Sequence, residues 1–285
     1  MSFAQTVALG ALAGFTIYLG LPLGRLSTLS NRMRVALAMF SVGILSFIFV
    51  DVLQHALAIV GDSVAQMRTR HHGPGETIGL TALLGLGFLA GSAGLGQLER
   101  RISPRGLPGP PIAGGSSEAL LSDEVLVLRA EAETRRRALQ RGLTIAIAIG
   151  LHNFAEGLAI GVSARAGAIG LATVLIIGFA LHNATEGFGI VGPLGDVRPS
   201  WGWLGLVGLI GGGPTFLGAV VGYNVTSLPL ELTFYALAGG AILYVIGEIW
   251  QGMRRYGHRS LGLSLLATGF MVGVVTDMVI TYGGG

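Results

Sequence analysis

Apolar residues fill eight stretches of the chain, and polar residues gather between them. The stretches run over 4–22, 35–60, 77–96, 143–163, 167–191, 202–223, 231–251 and 261–282. A helix needs roughly 20 predominantly apolar residues to cross a bilayer. The pattern therefore predicts an all-α integral membrane protein with eight transmembrane helices. The first stretch has no basic leader and no evident cleavage site, so it reads as a retained span rather than a removed signal. Composition agrees: 51% of the 285 residues are hydrophobic, 12% are charged, and the mean hydropathy is +0.69. Soluble domains carry about 25% charged residues. The 48 glycines suit helices whose backbones approach closely.

One region departs from this rhythm. Residues 101–117 are rich in Pro, Gly and Ser, which marks a linker. Residues 118–141 then form a polar helical segment. Its acids come early (Glu118, Asp123, Glu124) and its arginines late (Arg135, Arg136, Arg137, Arg141), as the helix dipole favours. The chain divides into 1–96 (spans one to three), 97–141 (a loop with linker and charged helix), 142–192 (spans four and five) and 193–285 (spans six to eight).

Arginine placement orients these spans, since every one of the 18 basic residues is Arg. Numbering the loops between spans one to seven, the even loops hold Arg68, Arg70 and Arg165, and the odd loops hold the other fifteen. Cytoplasmic loops carry the positive excess. The odd loops, 97–141 included, are therefore expected in the cytoplasm of a multi-pass cell-membrane protein. Both termini are then expected outside, in the periplasm or extracellular space. This distribution accounts for the high isoelectric point, near 9.7, without nucleic acid. The absence of cysteine excludes disulfides and thiolate metal sites.

Within the apolar spans, one polar pattern occurs twice. Residues 151–161 read LHNFAEGLAIG, and residues 181–192 read LHNATEGFGIVG. Positions i and i+4 share a helix face, so His152 pairs with Glu156 and His182 with Glu186, with Asn153 and Asn183 one step round. An ionised carboxylate at mid-bilayer costs at least a few kcal/mol, and a divalent cation offsets that cost. Imidazole and carboxylate suit Zn²⁺, Fe²⁺ or Mn²⁺. The spacing differs from the Glu-x-x-His of di-iron bundles and from the H-E-x-x-H of zinc proteases. It points to a metal site while leaving carrier and enzyme both open.

These two stretches resemble the H-N-x-x-E-G signatures in the fourth and fifth helices of the Zrt-, Irt-like (ZIP) divalent-metal transporters. AGGAILYVIGEIW at 238–250 is similar to the family's seventh helix. The resemblance implies a 3+2+3 arrangement in which helices one to three and six to eight are inverted repeats around the central pair. It implies a midplane site of His152, Asn153, Glu156, His182, Asn183 and Glu186, exposed to each side in turn. It also puts Glu248 on an inner exit path. The chain departs from the family where Pro often precedes each signature Glu, holding Ala155 and Thr185. Thr215 stands where a sixth-helix Glu often helps a second metal, and Asn183 where some members have Asp. A single-metal site, or one with a weaker second position, is therefore expected.

In the second span, Asp51 and His55 are again i and i+4 and are candidates for the same pathway. Asp277 in the last span either lines it or lies near the outer surface. His71 and His72, in an outer loop, are candidates for metal capture. His258, beside Arg254, Arg255 and Arg259, reads as solvated. Trp201, Trp203 and Trp250 fall at span ends, where aromatic anchors sit.

Two functions follow. One is a secondary carrier bringing divalent metal (zinc first; iron, manganese, cobalt and cadmium open) into the cytoplasm, the metal being substrate and no catalytic cofactor being needed. No G-x-x-x-x-G-K-[ST] loop can exist in a chain without Lys. The other is a membrane-embedded metal-dependent hydrolase. The partners are metal ions and the bilayer; small-residue faces would serve internal packing or a homodimer.

Overall fold

The computed structural model describes residues 1–26, 29–70, 74–102, 116–167, 169–224 and 227–282. His71 and His72 lie outside the described residues. Ten α-helices occur among the described residues, with no strand: α1 (Phe3–Phe15), α2 (Ile17–Gly20), α3 (Asn31–Arg70), α4 (Gly75–Leu89), α5 (Leu95–Ile102), α6 (Ser116–Arg165), α7 (Ile169–Val191), α8 (Trp201–Asn224), α9 (Leu228–Arg254) and α10 (Arg259–Tyr282). Seven helical segments among them are long and apolar enough to cross a membrane. α7, 23 residues long, occupies the remaining predicted stretch.

Several elements depart from a plain run of spans. The first is composite: α1 ends at Phe15, α2 follows after Thr16, and a 3₁₀ turn completes Leu21–Arg25. Between α4 and α5 the chain passes through a π-helical turn at Ala90–Gly94. The charged segment and the fourth span form one unbroken 50-residue helix, α6, because no Pro interrupts it. Ala155 and Thr185 lie within continuous α-helix, whereas α8 carries Pro214 internally.

The helices sort into two bundles. In the first, α1 and α2 pack on α7, α1 on α8, and α6 on α7 and α8; in the second, α3 packs on α9 and α10, and α4 on α9; α6 also packs extensively on α9, and this pair joins the two bundles. Small residues make this possible. A Cβ at Gly157 would strike Thr215 O of α8, one at Gly187 would strike Ile17 O of α2, and one at Gly43 would strike Leu266 O of α10. Backbones thus touch inside each bundle. Between bundles the glycine contacts reach side-chain atoms rather than backbone, at ordinary distance at Gly189 (Ile249 Cδ1, 3.4 Å) and Gly252 (Pro193 Cβ, 3.6 Å) and closely at Gly195, against the ends of Arg255 and Tyr256. A shared apolar core including Val42, Leu45, Ile149 and Ile249 fills this seam.

Candidate metal centre

Both repeated stretches belong to the first bundle, on α6 and α7. Each Asn acts as a tether. Asn153 Nδ2 donates to Gly211 O of α8 at 3.0 Å, in the turn that Pro214, which has no N–H, loosens. Asn183 Nδ2 donates to Ala13 O at 3.1 Å, beside the break after α1. Both amides are fully buried. Each Oδ1 is buried without a hydrogen bond.

The tethers aim the ligating side chains at one point. Glu156 Oε1 lies 2.8 Å from His152 Nε2 and 2.5 Å from His182 Nε2. Ligand atoms of His152, Glu156 and His182 all lie within 4.8 Å of one another. Two ligands of a tetrahedral ion at about 2.1 Å sit about 3.4 Å apart. Opening these contacts by under about 1 Å would therefore admit a cation. Glu186 stands at the edge of the group, 3.7 Å from His152 Nε2. It is 1% exposed, and neither carboxylate oxygen has a hydrogen bond. Unpaired buried acceptors of this kind are costly, and a divalent cation would satisfy them together.

A cavity of about 540 Å³ connects this point with the even-loop end of the molecule. Its first-bundle wall includes Ala159, Ser163 and Phe179. Across from it stand Asp51 and His55 of α3, Glu231 and Tyr235 of α9, and Asp277 of α10. His55 Nδ1 lies 3.6 Å from Asp51 Oδ1. Asp51, His55 and Asp277 were singled out from sequence. Glu231 and Tyr235 were not, although their i, i+4 spacing at the start of an apolar run was a readable signal. The opposite end is shut. Ile145, Ile149, Ile190, Val245 and Ile249 are each at most 1% exposed.

The remaining sequence candidates lie elsewhere. Thr215 is fully buried at the seam of α8 with α1 and α6 and does not line the cavity. Glu248 lies at the odd-loop end, 3.1 Å from Arg141 Nε, so this ion pair joins α9 to α6. Beside it, Tyr244 donates to Glu99 at 2.6 Å. Two further ties cross between bundles at that end. Arg34 of α3 donates to Gly195 O and lies 3.4 Å from Asp196, and Arg255 donates to Pro193 O at 3.3 Å.

Residues 123–246, which hold both repeated stretches, match a family model described as ZIP Zinc transporter. Zinc transporter ZupT of Clostridium perfringens (strain 13 / Type A) is 31% identical over 156 residues, covering 51% of this chain and 53% of that protein. The chain thus spans about half the length of the curated relative it matches.

Proposed function

We propose, from the match of residues 123–246 to the ZIP family model, that the chain is a ZIP-type secondary carrier of divalent metal ions, with zinc as the principal substrate. The donor set also suits Fe²⁺, Mn²⁺, Co²⁺ and Cd²⁺. His152, Glu156 and His182 form the primary ligand group, Glu186 joins when the ion enters, and Asn153 Oδ1 and Asn183 Oδ1 supply neutral acceptors. α7 is the fifth of eight spans, and the first three and last three are inverted repeats. With the odd loops cytoplasmic, the cavity faces outward, and Asp51, His55 and Asp277 guide ions toward the site.

Alternating access follows from the two bundles. Each is locked internally by backbone contact, and their seam is made of side chains. The Arg141–Glu248 pair and the Arg34 and Arg255 ties close the cytoplasmic end in this state. Sliding of the first bundle against the second would break them and open the buried isoleucine layer. Glu248, freed from Arg141, would then line the exit. One observation carries the reading: two histidines and a carboxylate from two helices converge at the buried end of a cavity between bundles. The family match favours this carrier over the hydrolase.

The test is uptake of Zn²⁺, Cd²⁺, Fe²⁺ and Mn²⁺ into proteoliposomes, comparing wild type with a His152→Ala/Glu186→Ala variant. Saturable flux lost in the variant is the expected result. Metal bound at the site with no flux under any gradient would overturn the carrier reading and return the hydrolase.

A further inference from the structure

A second pocket, of about 360 Å³, lies at the odd-loop end of the second bundle, among α3, α9 and α10 and remote from the His/Glu centre. Its floor is apolar: Val35, Met39 and Met253 are 2–3% exposed. Its rim is basic, with Arg254 closing α9, Arg259 opening α10, and His258 between them. Gly257 and His258 both adopt positive φ, +72° and +55°, in the tight turn that brings the two arginines to one rim. Gly262 keeps the gap between α10 and α3 open, since a Cβ there would lie 3.3 Å from Met39 Cγ.

The charge on this rim is not used within the chain. Arg255, next to Arg254 in the chain, is occupied by Pro193 O and the Tyr256 hydroxyl. Among the described residues, Arg254 and Arg259 make no ion pair, and no carboxylate lines the pocket. The α10 N-terminus adds free N–H donors and the positive end of its dipole at the same rim. Leu263, 44% exposed, and Trp250, 36% exposed, border the pocket on the side facing lipid. A polar solute gains nothing from an apolar floor, and a neutral lipid gains nothing from unpaired guanidinium groups. A ligand with a phosphate head and an acyl body satisfies both.

We propose that this pocket seats an anionic phospholipid of the leaflet on the odd-loop side, its phosphate between Arg254 and Arg259 and its glycerol and upper acyl carbons over Met39 and Met253. The positive-inside orientation places the pocket at the leaflet where anionic lipids gather, and each basic residue near such a surface strengthens binding about fivefold. The lipid would bind the second bundle alone, so occupancy does not depend on the transport reading.

The test uses the intact chain, purified in detergent and mixed with phosphatidylglycerol, cardiolipin or phosphatidylcholine, with retained lipid counted by native mass spectrometry. Wild type is expected to retain the anionic lipids and not phosphatidylcholine. Arg254→Gln/Arg259→Gln should weaken retention by about thirtyfold, while Arg254→Lys/Arg259→Lys and the control Arg100→Gln/Arg101→Gln keep it. Equal retention by the glutamine pair overturns the site. So does an equal loss in the control, which would mean diffuse surface charge only. Displacement of the lipid by millimolar inorganic phosphate would make the occupant a soluble phosphate instead. Should the glutamine pair not fold, thermal unfolding of wild type decides: no rise in midpoint with phosphatidylglycerol over phosphatidylcholine overturns the proposal.

Discussion

His152 and His182 hold matching positions in two similar stretches, yet their surroundings differ. His152 is fully buried on the floor of the centre, while the His182 side chain keeps 13% of its surface open to the cavity. Their glutamates differ more. Glu156 lies 2.8 and 2.5 Å from the two histidines, whereas Glu186 stands 3.7 Å from His152. The residues that hold the two helices behave alike: each Asn tethers a carbonyl of a neighbouring helix, and each following Gly admits a neighbouring backbone. The repeat is therefore symmetric in its scaffold and asymmetric in its ligands, with the α6 copy supplying the hub.

The sharpest way to break that comparison is to swap the carboxylates one at a time. Glu156→Gln should lower zinc affinity by more than about 100-fold, beyond the 10–100-fold usual for losing a supporting group. Glu186→Gln should cost about tenfold. Titration calorimetry and liposome flux measure both, and equal losses would mean that the centre is symmetric when metal enters. A second set concerns the scaffold. Gly157→Ala and Gly187→Ala should each destabilise the fold by about 1–3 kcal/mol, since the added methyl overpacks a backbone contact. Gly189→Ala, facing only a side chain, should cost less, and thermal unfolding in detergent ranks the three.

Acid should weaken the centre as a whole. A histidine must be neutral to ligate metal, and an ordinary imidazole titrates near 6.5. Zinc affinity should then fall as pH drops from about 7.5 to about 5.5; a flat profile would argue that carboxylates alone hold the ion. The smallest effect is expected at the far end. The Arg141–Glu248 pair is part exposed, 40% and 17%, and such pairs contribute about 1 kcal/mol or less. Arg141→Gln should raise labelling of a single cysteine placed at Ile149 by at most about fivefold, a clean readout in a chain without native cysteine.

Much of this was legible in the sequence, and the limit was distance along the chain. The apolar stretches marked the helices, and the i, i+4 pairs on α3 and α6, with His182 of α7, marked side chains that the structure gathers around one cavity. Local periodicity carries no information on partners far apart. The Asn183 tether spans 170 positions, the Asn153 tether 58 and the Arg34 tie 161. Arg141 counted only toward orientation in the sequence; its pairing with Glu248 depends on how the bundles meet.

The unbroken α6 has a mechanical consequence. At 1.5 Å per residue, its first residue stands about 54 Å along the helix from His152. Without a hinge between them, the outer half is a lever arm rooted in the centre. A tilt of about 10° at the root would swing the tip through about 9 Å. A probe there would register, magnified, displacements near His152 that are too small to follow directly.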